Sequence, residues 1–383
     1  MESKDILCEI CCGIDWETLI ENVSPSVCSG REVMYEGTLT KSMCSSCGFV
    51  YTMNSPLDAE IGDYYKEVYS SKLKSDEYDY MNYSAGKYFS EAINDFVLSY
   101  EFPEAGKLLD IGCGKGFFEE AFAAKYSDWK LEGVDPSDLS VEMAREKTPA
   151  ATFHHRNFEG ADYESDSYDL VAMHTVLNRV SPRKFICESA NLLKTEGIMS
   201  ISIAVFPEAP FELYFADHTC MYFKEHLLSI AEEFGLDLIK MDSKGSIWRF
   251  LFVKSSAVSL EKRNNLKAST ESIKRQVRGI VASWNDLLDK LTLEKNKGGK
   301  VAFYGAGTTL MILLSQTQFP KEQIAGICDD NPHKVGEEIW GVEVKKTEEA
   351  ELAADCGVLC AGPEGIESIK EKLNGYENLL YYN

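Results

Sequence analysis

No stretch of this chain reaches the run of about 18 apolar residues that a bilayer-spanning helix needs. Met1 to Glu9 are charged and hold no apolar core ahead of a cleavage site, so no secretory leader is expected. There is no internal repeat at solenoid spacing and no low-complexity tract. Positive charge is also short: 39 Lys and Arg stand against 62 Asp and Glu, for a net charge of -23. Such a field repels phosphate backbones and anionic membranes, so neither nucleic acid nor a membrane is the expected partner. What remains is a soluble, cytoplasmic protein, a monomer or homodimer, whose 383 residues suffice for two or three domains.

Cysteine, by contrast, is plentiful: twelve residues, half of them before Phe49. A dense cluster at one end of a long chain points to metal, not to a disulfide scaffold. Cys8-Glu-Ile-Cys11 and Cys44-Ser-Ser-Cys47-Gly48 are two Cys-x-x-Cys units. Each offers two thiolates from one tight turn, and together they make the tetrahedral sulfur set that zinc favours. Cys12 could stand in for Cys11, and Cys28 is a spare. A closed four-thiolate site leaves no position for substrate, so the expected zinc is structural.

Behind the cysteines, strand and helix patterns alternate, as in parallel sheets covered by helices. Lys107–Ile111, Lys130–Asp135, Tyr168–His174 and Ile198–Phe206 are strand candidates, with an amphipathic helix at Phe117–Ser127. Apolar residues from Leu260 to Leu291 recur at helical spacing, which makes 256–297 a linking helix. A second alternation follows, with strand candidates Val301–Tyr304, Ile324–Asp329 and Cys356–Ala361. The expected parts are a zinc module at 1–60, a core at 61–255, the linker, and a last domain at 298–383.

The sharpest motif is Leu108-Leu-Asp110-Ile-Gly112-Cys113-Gly114-Lys-Gly116, at a strand end just before a helix. Its glycines let a ligand approach the backbone closely. A dinucleotide turn needs its third glycine one residue later, where Phe117 stands. Asp110 suits a cationic amine better than a diphosphate. Gly133-Val-Asp135-Pro136 ends the next strand with an acid placed to hold two ribose hydroxyls. The last domain carries a related turn, Tyr304-Gly305-Ala-Gly307-Thr308, with Asp329 after the following strand. A second dinucleotide site is the literal reading of that pattern; a purely structural domain is the other.

Asp110 to Gly116 and Asp135 resemble the class I S-adenosylmethionine-dependent methyltransferases. The resemblance implies a Rossmann-like α/β core in which Asp110, Gly112, Cys113, Gly114 and Gly116 face the donor's amino acid part. Asp135 with Pro136 would hold its ribose, Asn157 and Phe158 its adenine, and His174 would lie beside it. A buried aromatic or a helix cap would explain those last three equally well.

Over nearly the whole length, the order of cysteine pairs, methyltransferase core, helix and Tyr-Gly-Ala-Gly domain resembles the sugar C-methyltransferases of deoxysugar biosynthesis. Tyr83-Ser-Ala-Gly86, Asp217-His218, Gly245-Ser-Ile-Trp-Arg249 and Asp329-Asp-Asn-Pro332 are further landmarks. That family methylates a carbon beside a ketone on a nucleotide-linked sugar. The resemblance makes His218 the general base with Asp217 behind it, and brings Tyr83, Tyr214 and Asn178 into the catalytic set. A histidine suits such proton removal, and a tyrosine or amide can stabilise the enolate oxygen. Arg249, Tyr304, Gly305, Gly307, Thr308 and Asp329 would hold the substrate, with a second Rossmann-like domain gripping its nucleotide. The family's Tyr-x-Glu-His, however, reads Phe215-Ala-Asp217-His218 here, and Asn178 stands where the family has a histidine. Those departures open O- or N-methylation of a related sugar, or a sugar- and donor-binding protein without catalysis.

Overall fold

The computed structural model describes residues 6–22, 26–27, 34–35, 39–54, 90–255, 264–332, 334–349, 354–361, 363–373 and 378–381. Tyr83 with its landmark, Cys28, and 256–263 of the expected linker lie outside them. Among the described residues the strands are β1 (Trp16–Asn22), β2 (Ser26–Val27), β3 (Met34–Tyr35), β4 (Leu39–Cys44) and β5 (Val50–Thr52). Then come β6 (Lys107–Ile111), β7 (Lys130–Asp135), β8 (Thr152–His155), β9 (Tyr168–His174), β10 (Leu193–Ala204), β11 (Cys220–Met221), β12 (Leu236–Lys244) and β13 (Ile247–Lys254). The last are β14 (Val301–Tyr304), β15 (Ile324–Cys328), β16 (Glu338–Ile339), β17 (Val342–Lys345), β18 (Cys356–Leu359) and β19 (Leu379–Tyr381). Helix α1 covers 90–98. It is followed by α2 (Phe117–Lys125), α3 (Asp138–Lys147), α4 (Pro182–Leu192), α5 (Lys224–Glu233), α6 (Asn264–Lys297), α7 (Thr308–Thr317) and α8 (Pro363–Lys372). No described helix is long and apolar enough to cross a membrane.

The chain divides into two compact units. The first holds Met1–Glu17, Ser42–Pro210 and Asp217–Lys274; the second holds Thr18–Lys41, Phe211–Ala216 and Arg275–Asn383. This division differs from the expected four parts: both cysteine turns belong to the unit that carries the donor motif.

The first unit is built on a seven-stranded sheet of order β12-β13-β10-β9-β6-β7-β8. Strands β6 to β10 run parallel, while β13 is antiparallel to both β10 and β12. The sheet is therefore mixed, not wholly parallel. Its odd edge is a hairpin turned at Gly245, which takes φ +57. Alternate residues of β6 go to opposite faces, as the pleat requires. Leu109 and Ile111 join one core with Val171 and Met173, while Leu108 joins another with Leu170 and Phe122. Helices on both faces explain why β6 and β9 are near-continuous apolar runs. The chain departs from β6 toward β7 on one side and β9 on the other, and a ligand crevice lies beyond the carboxyl ends at such a reversal.

The second unit has a six-stranded sheet of order β16-β17-β15-β14-β18-β19. It is parallel except for the β16–β17 pair. Again the central strand, β14, leads into a glycine turn and a helix. Along α6 the buried residues Ile273, Val277, Trp284, Leu287 and Leu291 recur at steps of three, four and seven, one stripe of a helix.

Candidate methyl-donor site and its supports

Three glycines shape the turn after β6, and each has its own reason. Gly112, Gly114 and Gly116 all take positive φ, at 79, 50 and 74. A Cβ on Gly112 would strike Val176. One on Gly116 would lie 2.8 Å from the Cβ of Ala144 in α3, so this glycine lets two helices approach. Around Gly114 no described residue lies within 4 Å of such a Cβ, so its backbone is open on that side among the described residues. Cys113 between them is buried, and burial pushes its thiol well up.

The two acids stand at neighbouring strand ends. Asp110 is 2% exposed and its Oδ1 has no hydrogen-bond partner among the described residues. Burial, reinforced by the charge of Asp135, raises its carboxyl to about 8. Asp135 is clasped at both oxygens: Gly114 N–H donates to Oδ2 at 3.1 Å, and Ser137 N–H to Oδ1 at 2.8 Å. It is half-buried, and that burial raises its carboxyl above the usual range. Ser137 also caps α3 by accepting from Ser140 N–H at 3.3 Å. The Pro136 carbonyl lies 3.1 Å from His155 Nε2. An open glycine backbone, an orphaned buried carboxylate oxygen and a clasped acid at the next strand end fit an aminoacyl-nucleoside such as S-adenosylmethionine.

His174 ends β9 on the far side of the turn. Its Nε2 is 2.9 Å from Ser200 Oγ, and Phe118 meets its ring edge-on at 4.8 Å. Burial lowers its pKa to about 3, so the ring is neutral. Thr175 follows with φ 58, a strained conformation for a β-branched residue, and leads directly to Val176 beside Gly112. Asn157 is exposed past β8. Phe158 turns the other way, buried and stacked on Tyr163 at 5.7 Å, so its ring belongs to the core and not to an adenine pocket.

The expected catalytic group is only partly brought together. His218 is 7% exposed, and its backbone carbonyl accepts from Thr52 Oγ1 at 3.4 Å. Asp217 is fully buried, with Arg179 Nε at 3.8 Å from Oδ2. Asn178 has a different task from the one expected of it. Its Nδ2 donates to the carbonyls of Ala204 at 3.1 Å and Cys220 at 3.2 Å, and its Oδ1 accepts from Ala204 N–H at 3.2 Å. The amide is thus spent on backbone, and its own carbonyl accepts from Thr219 and Cys220 N–H. Asn178 positions the segment that carries His218; it does not offer its amide to a reacting oxygen. Tyr214, in the second unit, is buried against Trp284 with ring centres 5.4 Å apart. Arg249 is similarly occupied: Nε bonds Asp242 at 2.7 Å, Nη1 bonds the Ala92 carbonyl at 2.6 Å, and Phe96 lies under the guanidinium. That buried tie accounts for Arg249 without a substrate.

The four cysteines Cys8, Cys11, Cys44 and Cys47 converge, with all sulfurs within 4.8 Å of one another. Cys8–Cys47 and Cys11–Cys44 are each 3.6 Å apart, far beyond a disulfide bond. Zinc–sulfur bonds of about 2.3 Å give tetrahedral edges near 3.8 Å, so the set fits zinc. Cys12 instead takes φ 59 on the exposed side of the turn. Hydrogen bonding with Cys11 drives the Cys44 thiol far down and the Cys47 thiol far up.

Two residues absent from the sequence reading hold these turns to the sheet's helices. Arg183 of α4 donates to the carbonyls of Glu9 at 3.0 Å and Ile10 at 2.8 Å while paired with Glu233 of α5 at 2.6 Å. His226 of α5 accepts from Phe223 N–H at Nδ1, so its Nε2 carries the hydrogen and donates to the Cys47 carbonyl at 3.0 Å. Cys8, Ile10, Cys44, Cys47 and Phe49 share one core with Leu109, Ile111 and Met173.

In the second unit the glycine turn repeats the clasp of the first. Asp329 Oδ2 accepts from Ala306 N–H at 2.7 Å, and Oδ1 from Asn331 N–H at 2.9 Å. Gly305 takes φ 103, where a Cβ would lie 2.5 Å from the Cys360 carbonyl oxygen. Gly307, like Gly114, is open on its Cβ side among the described residues, and Thr308 opens α7 behind it. Tyr304 itself is buried in that unit's core with Cys328 and Leu359.

Residues 109–201 match the methyltransferase domain family, and residues 255–358 match the C-methyltransferase C-terminal domain family. The middle of this chain is a methyltransferase domain of Rossmann-like α/β fold. A ubiquinone/menaquinone biosynthesis C-methyltransferase, UbiE, of Campylobacter jejuni is 28% identical over 111 residues, which cover 27% of this chain and 47% of the relative. Trans-aconitate 2-methyltransferase of Variovorax paradoxus is 31% identical over 114 residues, covering 28% of this chain and 42% of that protein. The chain thus spans about half the length of the curated relatives it matches. A solved S-adenosylmethionine-dependent methyltransferase of Thermotoga maritima, titled a possible histamine N-methyltransferase, aligns with TM-score 0.39 and 16% identity over 49% of this chain and 99% of its own. The methyltransferase domain holds one further buried acid that sequence reading passed over, Glu119 of α2. A charged residue on a helix face that otherwise offers Phe118 and Phe122 to the sheet was the available signal.

Proposed function

We propose that this protein transfers a methyl group from S-adenosylmethionine to a carbon of a keto sugar carried on a nucleotide. The observation that carries the reading is the repeated clasp. Asp135 holds the Gly114 turn and Asp329 holds the Ala306 turn through the same pair of backbone bonds. One such turn suits the donor's nucleoside; the second gives a place for the nucleotide of an acceptor. The C-methyltransferase C-terminal domain match over 255–358 supports carbon as the target.

When bound, the donor supplies an electrophilic methyl group on sulfur. The chain's own residues do the rest. Asp110 faces the donor's ammonium, and the backbone at Gly114 accepts its close approach. Asp135 takes the ribose hydroxyls, and neutral His174 walls the far side. The acceptor carbon beside the ketone must lose a proton before it attacks, and His218 is the base assigned to it. Asn178 and Arg179 fix the segment from Asp217 to Cys220 that carries this histidine. Zinc would sit on Cys8, Cys11, Cys44 and Cys47 as a closed structural ion that takes no part in the reaction.

Purified protein incubated with methyl-labelled donor and a panel of nucleotide-linked keto sugars is expected to move label onto one sugar, with NMR placing the new methyl on carbon. His218→Ala should then lower turnover about a hundredfold or more, the usual worth of a general base. Label that stays on the donor across the panel would overturn the sugar reading. A methyl found on oxygen or nitrogen would overturn carbon.

A further inference from the structure

Glu119 sits in the first turn of α2, on the side that packs against the sheet. It is fully buried, and neither of its carboxylate oxygens has a hydrogen-bond partner among the described residues. Its carboxyl fills the room left by an absent side chain: a Cβ on Gly133 would lie 2.7 Å from Glu119 Oε1. Gly133 is the register partner of Asp110 across the parallel β6–β7 pair. Register partners face the same side of a sheet, so Asp110 points toward the same room. Cys113 of the glycine turn borders it too, its Cβ 2.9 Å from the same position. Two buried carboxyls, each with an orphaned oxygen, therefore sit together directly under the turn.

An apolar interior does not tolerate two adjacent anions, so at least one of them keeps a proton. Burial first, then the charge of Asp110, holds the Glu119 carboxyl well above its usual range. The other titratable groups facing the pair are Asp135 from β7, which repels further negative charge, and the neutral thiol of Cys113. An unpartnered carboxyl buried on that helix face costs more than an apolar side chain would. A ligand cation is what it suits.

We propose that Glu119 is a positioning residue for donor recognition: it shares a proton with Asp110 in the empty turn, and the pair releases that proton when the donor's ammonium group arrives. This rests on the reading of the turn as a donor site. The proton passes to solvent, and no covalent bond changes.

The test is calorimetric titration of the full-length protein in two buffers of different ionisation heat. S-adenosylhomocysteine carries the ammonium group; methylthioadenosine keeps the nucleoside but lacks it. Wild-type protein is expected to release roughly half to one proton with the first ligand and none with the second. Glu119→Gln should clearly reduce the release and weaken S-adenosylhomocysteine about tenfold, while leaving methylthioadenosine unchanged. Glu119→Leu gives the same comparison should the glutamine variant fail to fold. Equal weakening of both ligands, or unchanged proton release, would overturn the role of Glu119 alone. Wild-type protein that binds neither ligand would overturn the donor-site reading and this proposal with it.

Discussion

Gly112 and Gly114 are two residues apart, both with positive φ, yet they do different work. At Gly112 a side chain meets Val176, which follows Thr175 at φ 58. At Gly114 a side chain meets none of the described residues. The left-handed backbone costs either alanine about 1 kcal/mol. Gly112→Ala adds a clash and should lower stability by about 2 kcal/mol or more in urea titration. Gly114→Ala should lower it by only about 1 kcal/mol, but lose at least about tenfold in affinity for S-adenosylhomocysteine, because its Cβ enters the space a ligand would use. The opposite pattern, a stable Gly112→Ala and an unstable Gly114→Ala with intact binding, would place the ligand elsewhere. Asn178 and Arg249 make a related point. Sequence shows that a residue owns polar groups, but not where they are spent, and here backbone carbonyls and Asp242 take both.

Among the elements, those that stand alone in the sequence were legible. Strands β6, β7 and β14 run into a glycine or an acid and β9 is an apolar run ending at His174, so their bounds follow directly from the chain. The cysteine turns were legible from the two Cys-x-x-Cys spacings, while the choice of Cys11 over Cys12 needed the structure. The β12–β13 hairpin was not: Leu238, Ile239 and Met241 on its outer strand are exposed, which blurs the alternation that marks a strand. Nor was the grouping of 18–41 and 211–216 with the C-terminal unit, since no local pattern records contacts made across so much chain. The same blindness hid the latch of Arg183 and His226 on the cysteine turns. Its consequence is testable. Because these turns share a core with β6, β9 and β10, they should not melt separately. Zinc analysis should return about one equivalent, and chelation or Cys44→Ser should lower the midpoint of the first unit's main unfolding transition. An early, separate transition with that main midpoint unmoved would mean that the cysteine turns fold as a module of their own.

For the whole molecule, the buried acids set an unusual pH dependence. Carboxyls in ion pairs have depressed pKa values and stabilise a fold as pH rises above 4. Asp110 and Glu119 are raised instead, Asp110 to about 8. Between the unfolded value near 4 and the folded value, the native state holds a proton that the unfolded chain has lost. Stability from this source is therefore complete below pH 4 and drains away as pH climbs toward 8, by up to about 1.4 kcal/mol per pH unit for each proton held. Thermal melts of the ligand-free protein from pH 5 to 8 should show a falling midpoint. The net charge of -23 pushes in the same direction, since self-repulsion grows as the last surface acids ionise. Salt separates the two causes. At about 0.5 M the screening length is only a few ångströms, which silences exposed charges but not a pair beneath the glycine turn. The decline should persist in salt for the wild type and become shallower in Glu119→Gln, which removes one of the two buried acids and barely alters the surface field. A midpoint that rises between pH 5 and 8, or a decline that salt abolishes in the wild type, would mean that these two carboxyls are not held protonated in the folded chain.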